Sequence, residues 1–174
     1  MINHTRWLLL YQALGDYKLM SAKVKGLLVD SATTPRAAHT LMDTFRDRLP
    51  EKLERLLAED AWCSYAYAHQ ILRGPFPLGE RAIAQNPRAS CRYAVFVLRG
   101  PFPLGEPGIA TDSKIAYDYA RGLGSPFPLA EPAIAVSTRA WPYYCDFYGS
   151  IRDANYEAFE DWKESVLSRQ RDSL

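Results

Sequence analysis

The 174-residue chain predicts an all-α fold, a short α-solenoid of helix-pair repeats with a period of about 26 residues. Three observations carry this. One phrase is written three times, as Gly74-Pro-Phe-Pro-Leu-Gly-Glu80, Gly100-Pro-Phe-Pro-Leu-Gly-Glu106 and Ser125-Pro-Phe-Pro-Leu-Ala-Glu131. Its phenylalanines, Phe76, Phe102 and Phe127, lie 26 and then 25 residues apart. Each phrase follows a Tyr-Ala segment and precedes an Ala-Ile-Ala or Gly-Ile-Ala triplet, so the whole unit recurs, not the phrase alone.

The elements follow in order. Residues 1–33 predict a helical capping segment. Thr5 starts a helix carrying Trp7, Leu10, Tyr11 and Leu14, although Trp7–Tyr11 also suits a strand. Val24, Leu27 and Leu28 fall at helical spacing in Met20–Val29. From Thr34-Pro35 a clearer helix begins, because proline is tolerated at the first helical position and threonine caps it. That helix puts Ala38, Leu41, Met42 and Phe45 on one stripe, and Pro50 is expected to stop it. Leu53–Asp60 matches Gly79–Asn86 at an offset of 26, so the array spans 34–149 and begins before its phrase does.

Long helices are expected to start at Asp60, Asn86 and Asp112, with a divergent one at Ser137. Cys63, Ser64, Tyr67, Ala68 and Ile71 form one helical face, matched by Ala89, Ser90, Tyr93, Ala94 and Val97. Gly74, Gly100 and Gly149 are expected to take the left-handed cap. Phe76 then plugs the gap to a short helix starting near Glu80, Glu106 or Glu131, whose inward residue is Ile83, Ile109 or Ile134. Residues 150–174 read as a capping helix carrying Tyr156, Phe159, Trp162 and Val166, then a charged tail.

Composition excludes several classes. A hydrophobic fraction of 48%, with 11 Tyr, 7 Phe and 4 Trp, supplies an ordinary core. Net charge of +1 gives no overall attraction to nucleic acid or anionic membrane. Cys63, Cys91 and Cys145 are odd in number, without a Cys-x-x-Cys pair, and His4, His39 and His69 lack metal-ligand spacing. Trp7–Leu10 is too short to span a membrane. A reduced, cytoplasmic protein without cofactor is expected.

The phrase Tyr-Ala-x-x-x-Leu-Arg-Gly-Pro-Phe-Pro-Leu-Gly-Glu-x-x-Ile-Ala, at Tyr67–Ala84 and Tyr93–Ala110, resembles a short helical repeat. Such repeats occur in tandem in bacteriophage and bacterial proteins whose function is undescribed. The resemblance covers residues 60–149. It implies a helix-pair solenoid and a phage setting, and supplies no activity, cofactor or catalytic residue.

Two repeated polar series compete as chemistry. Glu54, Glu80, Glu106 and Glu131 could form an acid/base or cation ladder, but one carboxylate per repeat near a helix start fits architecture better. Tyr67, Tyr93, Tyr119 and Tyr144 lie in the core stripe, so packing outweighs ligand stacking. No nucleophile elbow, phosphate loop or zinc-protease motif occurs, and a Cys–His pairing of Cys63 or Cys91 with His69 is a minority reading.

The positions that vary between repeats are more informative, because packing does not dictate them. They give the candidate binding residues Trp62, Arg73, Arg88, Arg92, Arg99, Lys114, Arg139 and Tyr143, a mixture of cations and aromatics suited to hot spots. The expected function is non-catalytic binding of another macromolecule, with a protein partner preferred, such as a host protein modulated by a phage product. A small-molecule or nucleotide site lined by Tyr and Arg, between repeats or protomers, is the alternative. An enzyme is the least favoured reading. Nucleic acid and homo-oligomerisation stay open, with Trp7, Trp141 and Trp162 as candidates for covering the open ends.

Overall fold

Helix follows helix through the chain, and no strand occurs among the described residues. The computed structural model describes residues 22–135, 137, 139–151, 161, 164–165, 168–169 and 171, so Thr5, Trp7 and Trp162 lie outside them. The fold is all-α with a helical-repeat arrangement, and consecutive helices pack on one another. It divides into two compact units, Met1–Ala82 and Ile83–Leu174.

In the first unit, α1 (Ala22–Ser31) buries Leu28 but leaves Leu27 exposed, so the expected apolar stripe of this segment is narrower than its spacing suggests. Helix α2 (Pro35–Phe45) is capped by Thr34, whose side chain accepts from the Ala37 N–H at 3.2 Å. Ala38, Leu41 and Met42 are fully buried, while Phe45 is half-buried. The helix ends at Phe45 because Arg46 turns left-handed, at φ 50°, well before the expected stop at Pro50. Leu49, 4% exposed, then fills the position that phenylalanine holds in later repeats.

The short helix α3 (Glu51–Leu57) precedes the long helix α4 (Ala61–Tyr67), which Asp60 caps by accepting from the Cys63 N–H at 2.8 Å. A π-helical turn, Ala68–Leu72, extends α4. Phe76 packs edge-on to Tyr67 with ring centres 5.1 Å apart, and α5 (Pro77–Ala84) follows. Removing a ring of this size from water stabilises by about 1.5–3 kcal/mol, which makes the plug a main fastening.

The second unit repeats the scheme. Asn86 caps α6 (Pro87–Tyr93), and a second π-helical turn, Ala94–Leu98, extends it. Phe102 packs edge-on to Tyr93 at 5.2 Å, and α7 (Glu106–Ile109) follows. Asp112 caps α8 (Ser113–Leu123), which is α-helical to its end. Phe127 then packs on Tyr119 at 4.8 Å, a 3-10 turn (Pro128–Ala130) leads into α9 (Glu131–Ala135), and α10 (Ala140–Ile151) closes the described array. Ile83, Ile109 and Ile134 are fully buried, as their place in the repeat predicts.

The left-handed caps are a correction. Positive φ belongs to Arg73 and Arg99, not to Gly74 and Gly100, and in the third repeat to Gly124. Gly149 is no cap either, because it lies inside α10. The π-turns explain the shift. In the first two repeats the N–H groups of Arg73 and Arg99 close on the carbonyls of Ala68 and Ala94, five residues back. In the third, the Gly124 N–H closes on Ala120, four residues back. The same carbonyl is satisfied each time, but the π-turn inserts one residue before the cap. The change of spacing from 26 to 25 residues is this single residue.

Tyr67, Tyr119 and Tyr144 of the core stripe also reach back to the preceding short helix. Tyr67 Oη donates to Glu54 Oε1 at 2.6 Å and accepts from the Leu49 N–H at 3.1 Å. Tyr119 does the same with Glu106, at 2.6 Å, and the Phe102 N–H, at 3.0 Å. Tyr144 does so with Glu131, at 3.2 Å, and the Phe127 N–H, at 2.9 Å. A hydroxyl donates one hydrogen bond and accepts another, so it satisfies a carboxylate and a buried plug-residue N–H together.

Candidate functional site

A groove of about 680 Å³ opens between α6, with its π-turn, and α8. One wall carries Arg88, Cys91, Arg92, Val95 and Phe96, and the other Lys114, Ile115, Asp118, Arg121 and Gly122. The spacings within each wall follow one face of a helix, so local periodicity alone brings these groups to one opening. Four cations face it against one acid, Asp118. Acids and bases are close to balanced over the unit as a whole, so the positive charge is concentrated here.

Two details shape the groove. Phe96 is 55% exposed and lines the opening. It stands on the π-turn. Opposite, Gly122 approaches Val95 so closely that an added Cβ would lie 2.5 Å from one of its methyl groups. Glycine is thus required by close approach, and it fixes the separation of the walls.

Of the eight residues proposed from sequence, the groove gathers Arg88, Arg92 and Lys114. Arg99 is exposed beyond it at the left-handed cap. Arg139 is exposed just before α10, and Tyr143 is 59% exposed, its ring centre 6.2 Å from that of Tyr117. Trp62 and Arg73 belong to the first unit, where Trp62 packs edge-on to Tyr65. Sequence reasoning missed Phe96, Arg121 and Gly122. Phe96 aligns with Gln70, a change from polar to aromatic that a row-by-row comparison of repeats brings out.

The competing chemistries are poorly served. Glu54, Glu106 and Glu131 are each engaged by a tyrosine of the following long helix, so these carboxylates act as fastenings. Burial, with the hydrogen bond and charge of Asp60, pushes the Cys63 thiol up to about 12. Burial and Asp118 raise Cys91 to about 11, against a smaller lowering by Arg92. A thiol so raised is protonated at neutral pH and a poor nucleophile. His69 stacks on Tyr65 with ring centres 5.6 Å apart. No group of three or more His, Cys, Asp or Glu among the described residues is placed to hold a metal ion, and no described helix is long and apolar enough to cross a membrane.

What the arrangement can do is attract and hold an anionic, partly apolar surface. Comparison with known proteins adds no relative: no family model, no characterised protein and no solved structure matches the chain.

Proposed function

We propose that this chain is a non-catalytic helical-repeat protein that binds another protein by seating an acidic segment of it in the α6/α8 groove. The observation that carries the reading is the convergence of Arg88, Arg92, Lys114 and Arg121 around an exposed Phe96. Cations with an aromatic anchor are the composition of binding hot spots, and a local positive field accelerates encounter with an acidic partner. The likeness of the repeated phrase to those of phage proteins supports a phage-encoded modulator of a host protein. Cys63, Cys91 and Cys145 are free thiols, the state a reducing cytoplasm maintains.

The test is affinity capture from the native host with wild type and with the variant Arg88→Glu/Arg92→Glu/Lys114→Glu, read by mass spectrometry. The expected result is a partner held by wild type, released by polyglutamate and absent from the variant. Equal recovery by both proteins would remove the groove from consideration.

A second reading is favoured by size. A volume of about 680 Å³ lies within the range of small-molecule sites, and its arginines suit a nucleotide phosphate. A melting temperature raised by millimolar nucleotide, and unchanged by acidic peptides, would establish that reading instead.

A further inference from the structure

The three long helices of the second unit begin alike. Asn86, Asp112 and Ser137 each accept from the N–H three residues on, at Ala89, Ile115 and Ala140. Two residues past each cap stand Arg88, Lys114 and Arg139. All three are exposed, and none of their side chains makes a hydrogen bond or ion pair among the described residues. Helix α8 packs against α6 and against α10, and about one turn beyond Lys114 and Arg139 the Tyr117 and Tyr143 ring centres are 6.2 Å apart. Packed helices lie about 8–10 Å apart, so the three cations form a row with about that step. Arg88 and Lys114 line the groove, and Arg139 continues the row outside it.

Helix electrostatics disfavours this choice of residue. The first turn carries the positive end of the helix dipole, where an acid stabilises and a cation costs stability. Like charges along the row also repel one another. The sign is nevertheless the same in all three helices. Other exposed positions do not keep theirs: four residues on, the series runs Arg92, Asp118, Tyr143, and seven on, Val95, Arg121, Asp146. A feature held against local preference is characteristic of functional sites. We propose that Arg88, Lys114 and Arg139 form one binding row, and that the partner's acidic segment crosses the three long helices near their N-terminal ends, passing over Lys114 to reach Arg139. The inference rests on the acidic-partner reading above and extends its footprint from the groove to the start of α10. Side-chain cations do the binding, because the caps already occupy the helix amides. Carboxylates of the partner fit the row by turning its mutual repulsion into attraction, with charge-assisted hydrogen bonds to each cation.

Fluorescence anisotropy on the full chain, with fluorescein-labelled deca-glutamate as the probe, tests the row. Lys114→Glu and Arg139→Glu are each expected to weaken binding about tenfold, although only Lys114 lines the groove. Arg99→Glu, the same change of charge at an exposed cation off the row, is expected to weaken it by less than about twofold. Thermal unfolding of the same variants separates binding from folding. Glutamate suits a first turn, so Lys114→Glu and Arg139→Glu should each raise the melting temperature by about 2 °C while binding falls. A lowered melting temperature would show that these cations serve the fold, and would overturn the row. Wild-type binding by Arg139→Glu, with Lys114→Glu weakened, would also overturn it and leave the groove reading standing, as would equal weakening by Arg99→Glu. No binding of deca-glutamate by wild type, whether or not oligothymidylate binds, would overturn both.

Discussion

The second and third repeats share a plan and differ by one residue, and the difference shows what the plan protects. In the second, α6 runs into a π-turn and ends on Arg99 in the left-handed conformation; in the third, α8 stays α-helical and ends on Gly124. Both deliver a phenylalanine three residues later to the same place against the stripe tyrosine. The carbonyl that receives the cap and the position of the plug are constant; helix length is not. A packed core has little room for altered side-chain positions, whereas an extra backbone residue can be absorbed as a wider helical turn.

The same pair of repeats differs again where long and short helices meet. Ser90 faces Gly105 so closely that a Cβ on the glycine would lie 2.6 Å from the serine hydroxyl. The third repeat has Ala116 and Ala130 at these places, both fully buried. A hydroxyl is lost from one side and a methyl gained on the other, which keeps the joint volume nearly constant. Ala130 also sits in a 3-10 turn, a local tightening that the second repeat lacks.

The largest expected effect comes from breaking the feature the repeats share. Tyr119→Phe leaves the Phe102 N–H and the Glu106 carboxylate without their common partner, at a cost of about 2–3 kcal/mol in urea unfolding. Burial, then the bond to Glu106, raises the Tyr119 pKa above its ordinary 10.0. A raised folded-state pKa gives stability that is full below the unfolded value and lost as pH rises through the folded one. Wild type is therefore expected to weaken as pH climbs beyond about 10, with Tyr67, raised to about 12, contributing in the same direction. Tyr119→Phe should show a shallower alkaline decline, and an unchanged slope would contradict the assignment.

Next in size, Gly105→Ala should cost about 2 kcal/mol by overpacking against Ser90, and adding Ser90→Ala should recover part of it. Chemical denaturation of the two single variants and the double variant gives the coupling, and strict additivity would show that the volumes are not traded. The smallest effect is of opposite sign. Arg99→Gly makes the second cap like the third and should stabilise by up to about 1 kcal/mol, since a left-handed arginine is strained where glycine is not. A loss of stability would show that the Arg99 side chain contributes more than its backbone costs.

Much of this was legible in the residues. The buried phenylalanines, the Asp60, Asn86 and Asp112 caps, and the inward isoleucines follow from spacing and side-chain chemistry, both of which act locally. The π-turns were not. Nothing in Ala94–Leu98 marks a change of hydrogen-bond register, and the clue lay in the change of period between repeats. The glutamates do lie in the first turns of their short helices, as expected; that Glu54, Glu106 and Glu131 also receive a tyrosine hydroxyl 13 residues later is a pairing that helical periodicity within one element cannot reveal. For the groove, Arg88, Arg92 and Lys114 stood out as variable cations. Gly122 did not, because its role is a tertiary approach to Val95.

The tyrosine fastenings give the array a temporal order. Glu54, Glu106 and Glu131 each wait for a hydroxyl that leaves the ribosome later than they do, as do the amides of Leu49, Phe102 and Phe127. A nascent repeat is therefore incomplete until its successor's long helix has emerged and docked.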